Sequence, residues 1–229
     1  QRVNKMVRQQ SEGIRRVFTA LDAEGVHFLS PRDLTPSQRN FLESHFQLEI
    51  QPVLTPLAMD RLEPQPVLPG LQMMLAFRLI PSAAAQGAGN SEPIDRVAVV
   101  PVPTGLARHI ALPAREGMHL VRLEDVIATH AKSLFPGYEI RACTEFRITR
   151  DADVAIQEDA AADLLDAIDK AVKARKRRDP VRLEIPARAD RWLRRWLMNW
   201  AHLTGQDVYQ VDGMLDATGL MEVAMRPGL

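Results

Sequence analysis

The sequence is short of several things. It holds one cysteine, Cys143, which excludes an internal disulfide framework and any multi-cysteine zinc site. Aromatic residues make up only 5% of its 229 residues, so any core must be mainly aliphatic. There is no excess charge: 29 Lys and Arg balance 29 Asp and Glu. No global field therefore draws the chain to DNA or to a membrane surface. No apolar run approaches the roughly 18 residues a helix needs to cross a bilayer. The opening residues are no signal peptide, because Arg2, Lys5 and Arg8 interrupt any apolar stretch. No internal repeat is visible. These absences point to a reducing, cytoplasmic setting, and the chain reads as a piece of a longer polypeptide.

What is present is a helical start followed by a mixed region. Val3, Met6, Val7, Ile14, Val17 and Leu21 recur at spacings of three and four, predicting a helix over 1–24 that Gly25 stops. Thr35-Pro36-Ser37-Gln38 predicts a second helix start, with Thr35 as cap and Gln38 reaching back. Two antiparallel helices are the simplest reading of this stretch. Prolines 52, 56, 64, 66 and 69 then forbid regular structure, placing a boundary near residue 51 between segments 1–51 and 52–229. Strands are expected over 72–80, 96–102, 118–122, 144–149, 181–186 and 208–211. Helices are expected over 123–135, 157–176, 189–203 and near 216–225. The strict alternation Val181-Arg182-Leu183-Glu184-Ile185 argues a half-buried antiparallel strand, and 83–92 reads as a hairpin loop. The fold class is α+β: a short antiparallel helical piece, then a mixed domain whose helices flank an antiparallel sheet.

No complete catalytic constellation emerges. Gln86-Gly87-Ala88-Gly89 lacks the third glycine and following helix of a phosphate-cradling loop. The six histidines show no metal-ligand spacing, and His45 and His130 fall on apolar helix faces as satisfied core or boundary groups. Cys143 reads as a small buried hydrophobe. Asp163, Asp166 and Asp169 drift around a helix and do not converge on a cation. The densest positive run, with Arg175, Lys176, Arg177 and Arg178, can grip phosphates or simply complement the helix macrodipole. Trp192, Trp196 and Trp200 recur every four residues with arginines between them. That stripe suits either a core face or a contact face for another domain or subunit.

Several stretches, in order, resemble one family. Phe46-Gln47-Leu48-Glu49-Ile50-Gln51-Pro52-Val53-Leu54-Thr55-Pro56-Leu57-Ala58-Met59-Asp60 resembles the junction of the N-terminal and head domains in polyphosphate kinases of the histidine-phosphorylating type. Leu123-Glu124-Asp125-Val126-Ile127, Leu134-Phe135-Pro136-Gly137-Tyr138-Glu139-Ile140 and Phe146-Arg147-Ile148-Thr149-Arg150-Asp151-Ala152-Asp153 follow in that family's order. Arg177-Arg178 with Val181-Arg182-Leu183-Glu184, and Val208-Tyr209-Gln210-Val211-Asp212-Gly213, complete the series. The resemblance implies a homo-oligomeric enzyme that moves the γ-phosphate of ATP onto polyphosphate and back through a phosphorylated histidine, with Mg²⁺ balancing charge.

That machinery resides in two C-terminal domains expected outside these residues, and no histidine here matches the phosphorylated one. No catalytic or metal-ligating residue is therefore expected in this chain. Mg²⁺ and ATP belong to the complete enzyme, and no DNA partner is implied. Residues 1–51 would be the latter part of the helical N-terminal domain, and 52–229 the head domain. Its implied role is non-catalytic: helping form a dimer and one wall of the nucleotide and polyphosphate path. Arg147 and Arg150 are the first candidates for phosphate contact, with Arg175, Lys176, Arg177 and Arg178 next. Trp192, Trp196 and Trp200 are the interface candidates. The alternative is a stand-alone interaction or regulatory module without kinase activity.

Overall fold

The computed structural model describes residues 2–60, 66–82, 94–151 and 179–226. The loop expected over 83–92, the helix expected over 157–176 and the run Arg175–Arg178 lie outside the described residues. The first helix, α1 (Arg2–Ala23), ends at Gly25, whose φ of +82° turns the chain into β1 (Val26–Phe28). Helix α2 (Pro36–His45) starts at the expected capping box. Thr35 Oγ1 accepts from the Gln38 amide, and Gln38 Oε1 accepts from the Thr35 amide. The helix then loosens into a π turn over Phe46–Ile50, and a 3-10 turn at Gln51–Val53 closes the segment.

The expected pair of antiparallel helices is not what forms. α1 packs on β1 and on the strand at Val208–Val211, and α2 packs on the strand at His109–Leu112. The reason is pairing at long range: Val26–Phe28 finds a parallel partner in Met118–Arg122, and α1 goes with it.

Beyond Pro52 come β2 (Leu57–Ala58), β3 (Met74–Pro81), β4 (Arg96–Pro101), β5 (His109–Leu112) and β6 (Met118–Arg122). Helix α3 (Leu123–His130) leads to β7 (Tyr138–Arg150). The described chain resumes with β8 (Pro180–Pro186), α4 (Arg191–Trp200), β9 (Val208–Val211) and α5 (Leu220–Ala224). Strands β1-β6-β5 form a small sheet, and β2-β4-β3-β7-β8-β9 a larger one. The larger sheet is antiparallel except where β8 meets β9 in parallel, the crossover between them being α4.

Alternation on the central strands sends side chains to two cores. Met73, Leu75, Phe77 and Leu79 face α2, α3 and the small sheet, together with Phe46, Val100, Val126 and Ile127. Met74 and Ala76 face the other way, where Phe146, Ile148, Leu183 and Ile185 meet Leu193 and Leu197 of α4. A strand buried on both faces reads as a near-continuous apolar run, and β3 does, with Arg78 its one charged residue. The first core draws on both sides of residue 51, with Leu42 and Ile50 packed among strand residues. Cys143, expected to be buried, is exposed on β7, because the early part of that strand leaves every second side chain towards solvent.

Candidate functional site

At the β7–β8 end of the large sheet, the face that carries the first core turns from apolar to charged. Arg147 on β7 stands in register opposite Glu184 on β8, and Arg147 Nε donates to Glu184 Oε2 at 2.6 Å. Glu184 also accepts from Arg182, whose guanidinium lies 4.1 Å over the ring of Tyr209. Arg147 Nη1 comes within 3.6 Å of Asp216 Oδ1, and Asp216 Oδ2 accepts from Arg108 Nη1 at 3.2 Å. Arg108 Nη2 reaches Glu124 at 3.0 Å, at the start of α3. Arg122 closes the series: its fork grips Asp125 with two 2.8 Å bonds, and its Nη1 lies 3.3 Å from both Glu124 and Glu145. Side chains from the turn before β5, from β6, α3, β7 and β8, and from the segment before α5 thus form one ladder of alternating sign.

The ladder is largely withdrawn from water, with Glu124 and Glu184 only 2% and 5% exposed. Burial works against the charge on Arg122, yet Glu145, Asp125 and Glu124 hold its pKa above the ordinary guanidinium range. Burial likewise pushes Asp216 up, but hydrogen bonds from the Thr218 hydroxyl and amide, with Arg108 and Arg147 nearby, leave its carboxyl below the usual value. Glu145 goes the other way, burial raising it against the pull of Arg122. A cleft of about 220 Å³ opens beside Arg108 and Asp216, bounded by Gln72, Thr104, Gly219 and Glu222. Glu222 accepts from the Arg108 amide at 2.8 Å, tying α5 to the ladder.

Chemically this is an architecture of paired charges. Each arginine faces a carboxylate, although Arg108 Nε, Arg182 Nε and Glu124 Oε2 are buried with no hydrogen-bond partner among the described residues. Among the described residues no group of three or more His, Cys, Asp or Glu side chains could hold a metal ion.

The candidates named from sequence fall in different places. Arg147 is a rung of the ladder. Arg150 donates from Nε to the Leu68 carbonyl at 2.9 Å, and burial pulls its pKa down. Trp192, Trp196 and Trp200 are half-buried along one side of α4, against the second core. Trp196 and Trp200 lie parallel at 6.4 Å, and Arg78 sits 4.5 Å over Trp192. His130 and His45 behave as expected. His130 bonds the Val126 carbonyl and Glu43 and stacks on Phe46, while His45 stacks on Phe41 near Glu49. Sequence reasoning missed Arg108, Arg122, Glu124, Asp125, Glu145, Arg182, Glu184 and Asp216. The available signal was opposite charges inside two apolar strands, Arg147 and Glu184, that a hairpin-like pairing would bring together.

Next to the ladder lies a buried imidazole. His109 on β5 is 1% exposed, and both ring nitrogens lack a hydrogen-bond partner among the described residues. Its ring meets Phe28 edge-on at 5.4 Å, with Arg108, Glu124, Glu222 and Arg226 the charged groups around it. Burial lowers its pKa from the ordinary 6.5, so the unfolded chain takes up the proton first. Stability therefore falls as pH drops below 6.5, by at most about 1.4 kcal/mol per pH unit until the folded-state value is reached. In urea unfolding from pH 7 to pH 5, His109→Leu should lack this component. A wild-type-minus-variant difference that stays constant across that range would refute it.

Against known proteins, the family model described as the polyphosphate kinase middle domain matches residues 37–223. The polyphosphate kinase of Bacillus cereus is 39% identical over 209 residues, covering 90% of this chain and 29% of that protein. That of an Exiguobacterium species is 32% identical over 231 residues, covering all of this chain and 31% of its relative. The crystal structure of the Porphyromonas gingivalis polyphosphate kinase superimposes with a TM-score of 0.70 at 22% identity, over 99% of this chain and 32% of that one, which shows a shared fold. The chain thus spans about three tenths of the length of these relatives. With the middle-domain match running across most of its residues, the chain belongs to the polyphosphate kinase family.

Proposed function

We propose that this chain is a non-catalytic portion of a polyphosphate kinase, working in the cytoplasm, that helps form a dimer and lines the path of nucleotide and polyphosphate. The observation that carries the reading is the middle-domain match over residues 37–223, in a chain that corresponds to about three tenths of its full-length relatives. The charge ladder supports it, since arginines and carboxylates that neutralise one another suit a rigid support better than a reacting centre. The carboxylates of the ladder do not suit Mg²⁺, because each already faces an arginine. Mg²⁺ and ATP would be held by other parts of the polypeptide. The proposed division keeps 1–51 as the end of the helical N-terminal domain and 52–229 as the head. Arg147, Arg150 and the run Arg175–Arg178 are its phosphate candidates, and the half-exposed edge of Trp192, Trp196 and Trp200 is its subunit contact.

The test is a transfer assay on the purified chain with γ-labelled ATP, Mg²⁺ and a polyphosphate primer, sedimented in parallel. The expected result is no label in polyphosphate and a dimeric species. Labelled polyphosphate made by the chain alone would overturn the non-catalytic reading, and a monomer would remove the subunit contact.

A further inference from the structure

Helix α4 carries three kinds of side chain on three arcs. Leu193 and Leu197 are buried in the second core. Trp192, Trp196 and Trp200 flank them, half-buried. On the remaining arc lie Arg191, Arg194 and Arg195, with Arg194 and Arg195 three and four residues from Arg191, spacings that make them surface neighbours. Arg191 and Arg195 are exposed and Arg194 half-exposed, and Arg188 is exposed in the turn just before the helix. No ion pair involves any of these four among the described residues, whereas Arg78, Arg96, Arg108, Arg122, Arg147 and Arg182 all have carboxylate partners.

Helix stability does not account for them. α4 has no acidic residue in its first turn, and its cap, Asp190, spends its Oδ1 on the Leu193 amide. Three guanidiniums crowd the half of the helix where the macrodipole is positive, and like charges three and four residues apart repel. A polyanion laid over this arc would relieve both effects at once.

We propose that Arg191, Arg194 and Arg195, with Arg188 beside them, form a docking surface for an inorganic polyphosphate chain. The proposal rests on the reading of this chain as part of a polyphosphate kinase and adds to it a site on α4, apart from the ladder. The aromatic neighbours favour a polyanion without bases over RNA. Trp196 and Trp200 stack on each other and Arg78 covers Trp192, so the ring faces on which a base would stack are largely taken. Arginine contributes charge and donors to phosphate whichever residue of the polymer lies above it, which suits a repeating anion that slides.

The experiment measures binding of a fluorophore-labelled polyphosphate to the purified chain by anisotropy, over a series of salt concentrations. The triple variant R191Q/R194Q/R195Q should bind at least about tenfold more weakly, and its salt slope should fall by about 2, taking roughly 0.7 per lost phosphate contact on a flexible polyanion. R191K/R194K/R195K, which keeps the charge, should retain most of the binding. R2Q/R8Q/R16Q removes as much charge from exposed positions on α1 and should change little. Circular dichroism and thermal melts confirm that each variant is folded. A glutamine triple that binds like wild type overturns the proposal, as does a wild-type chain that binds no polyphosphate. In either case polyphosphate synthesis by a longer polypeptide containing this chain would leave the family-level reading standing. Displacement of the probe by single-stranded RNA at equal or lower phosphate concentration would also overturn it, in favour of a nucleic-acid surface; a need for much more RNA supports it.

Discussion

Replacing Glu184 by leucine should lower the free energy of unfolding by about 3–5 kcal/mol, the range for removing one partner from a buried, hydrogen-bonded charge pair. Glu184 is 5% exposed and receives both Arg147 and Arg182. Without it, among the described residues Arg147 keeps only Asp216 at 3.6 Å, and Arg182, whose Nε has no partner there, keeps only the face of Tyr209. Two guanidiniums would then be under-paired in a place water reaches poorly. Native stabilities run to about 5–15 kcal/mol, so this single change would remove a large share. The pair itself is not the source of that stability, because desolvating both ions offsets much of their attraction. R147M/E184L should therefore recover a good part of the loss, giving a clear coupling energy in a double-mutant cycle followed by urea unfolding. If the double variant is no more stable than E184L, the loss comes from backbone disruption of β8 and the electrostatic account fails.

The same residue shows how far the sequence could be read. Alternation in Val181-Arg182-Leu183-Glu184-Ile185 located β8 to within a residue and assigned Leu183 and Ile185 to a core. Alternation says which residues share a face; it does not say what covers that face. Glu184 belongs to the polar set, yet it is buried under the guanidiniums of Arg147 and Arg182, with Asp216 on the far side of Arg147. Its partner Arg147 sits 37 residues away in sequence, and nothing local marks the pairing. Arg147 stood out only because the Phe146–Asp151 segment matches the family pattern densely.

The α1, α2 and α4 patterns were legible because period, cap and stop all lie within one segment: Gly25, the Thr35–Gln38 box and Asp190 each act locally. Strand β2 was not, being two residues long, too short for a period to register, and β5 was also not expected, although β9 at the same four residues was. β7 begins at Tyr138, ahead of the expected 144, because Glu139, Arg141 and Cys143 face outward and dilute the apolar signal. Parallel pairing of β8 with β9 and of β1 with β6 depends on partners far along the chain. What the sequence did reveal about function came from ordered resemblance across the whole chain, and not from any one cluster of reactive side chains.

Gly117→Ala should free the first 29 residues from the rest of the fold. Gly117 has φ +69°, and a Cβ there would stand 2.4 Å from the Gly25 carbonyl oxygen, which accepts from the Met118 amide at 2.8 Å. The obstacle is backbone, so no side chain can swing aside. Left-handed backbone alone costs a non-glycine residue about 1–3 kcal/mol. The clash adds to this unless β1 gives up its parallel register, Val26 with Met118, His27 with His119 and Phe28 with Leu120. Gly25→Ala makes the informative contrast. It shares the positive φ, at +82°, but its Cβ would meet only the Gly117 Cα at an ordinary 3.8 Å. Hydrogen exchange should thus show amides 26–29 losing protection in G117A and keeping most of it in G25A, with β3 and β7 protected in both. Detachment of β1 would uncover Val26 and Leu120, together with Leu21, Phe28 and Val223, which pack around them. It would also loosen the contact of α1 with β9, including Arg15 with Asp212. Equal protection of β1 in the two variants would mean that the sheet yields at Gly117 by a cheaper route, and that α1 is held by its packing on β9 more than by strand pairing.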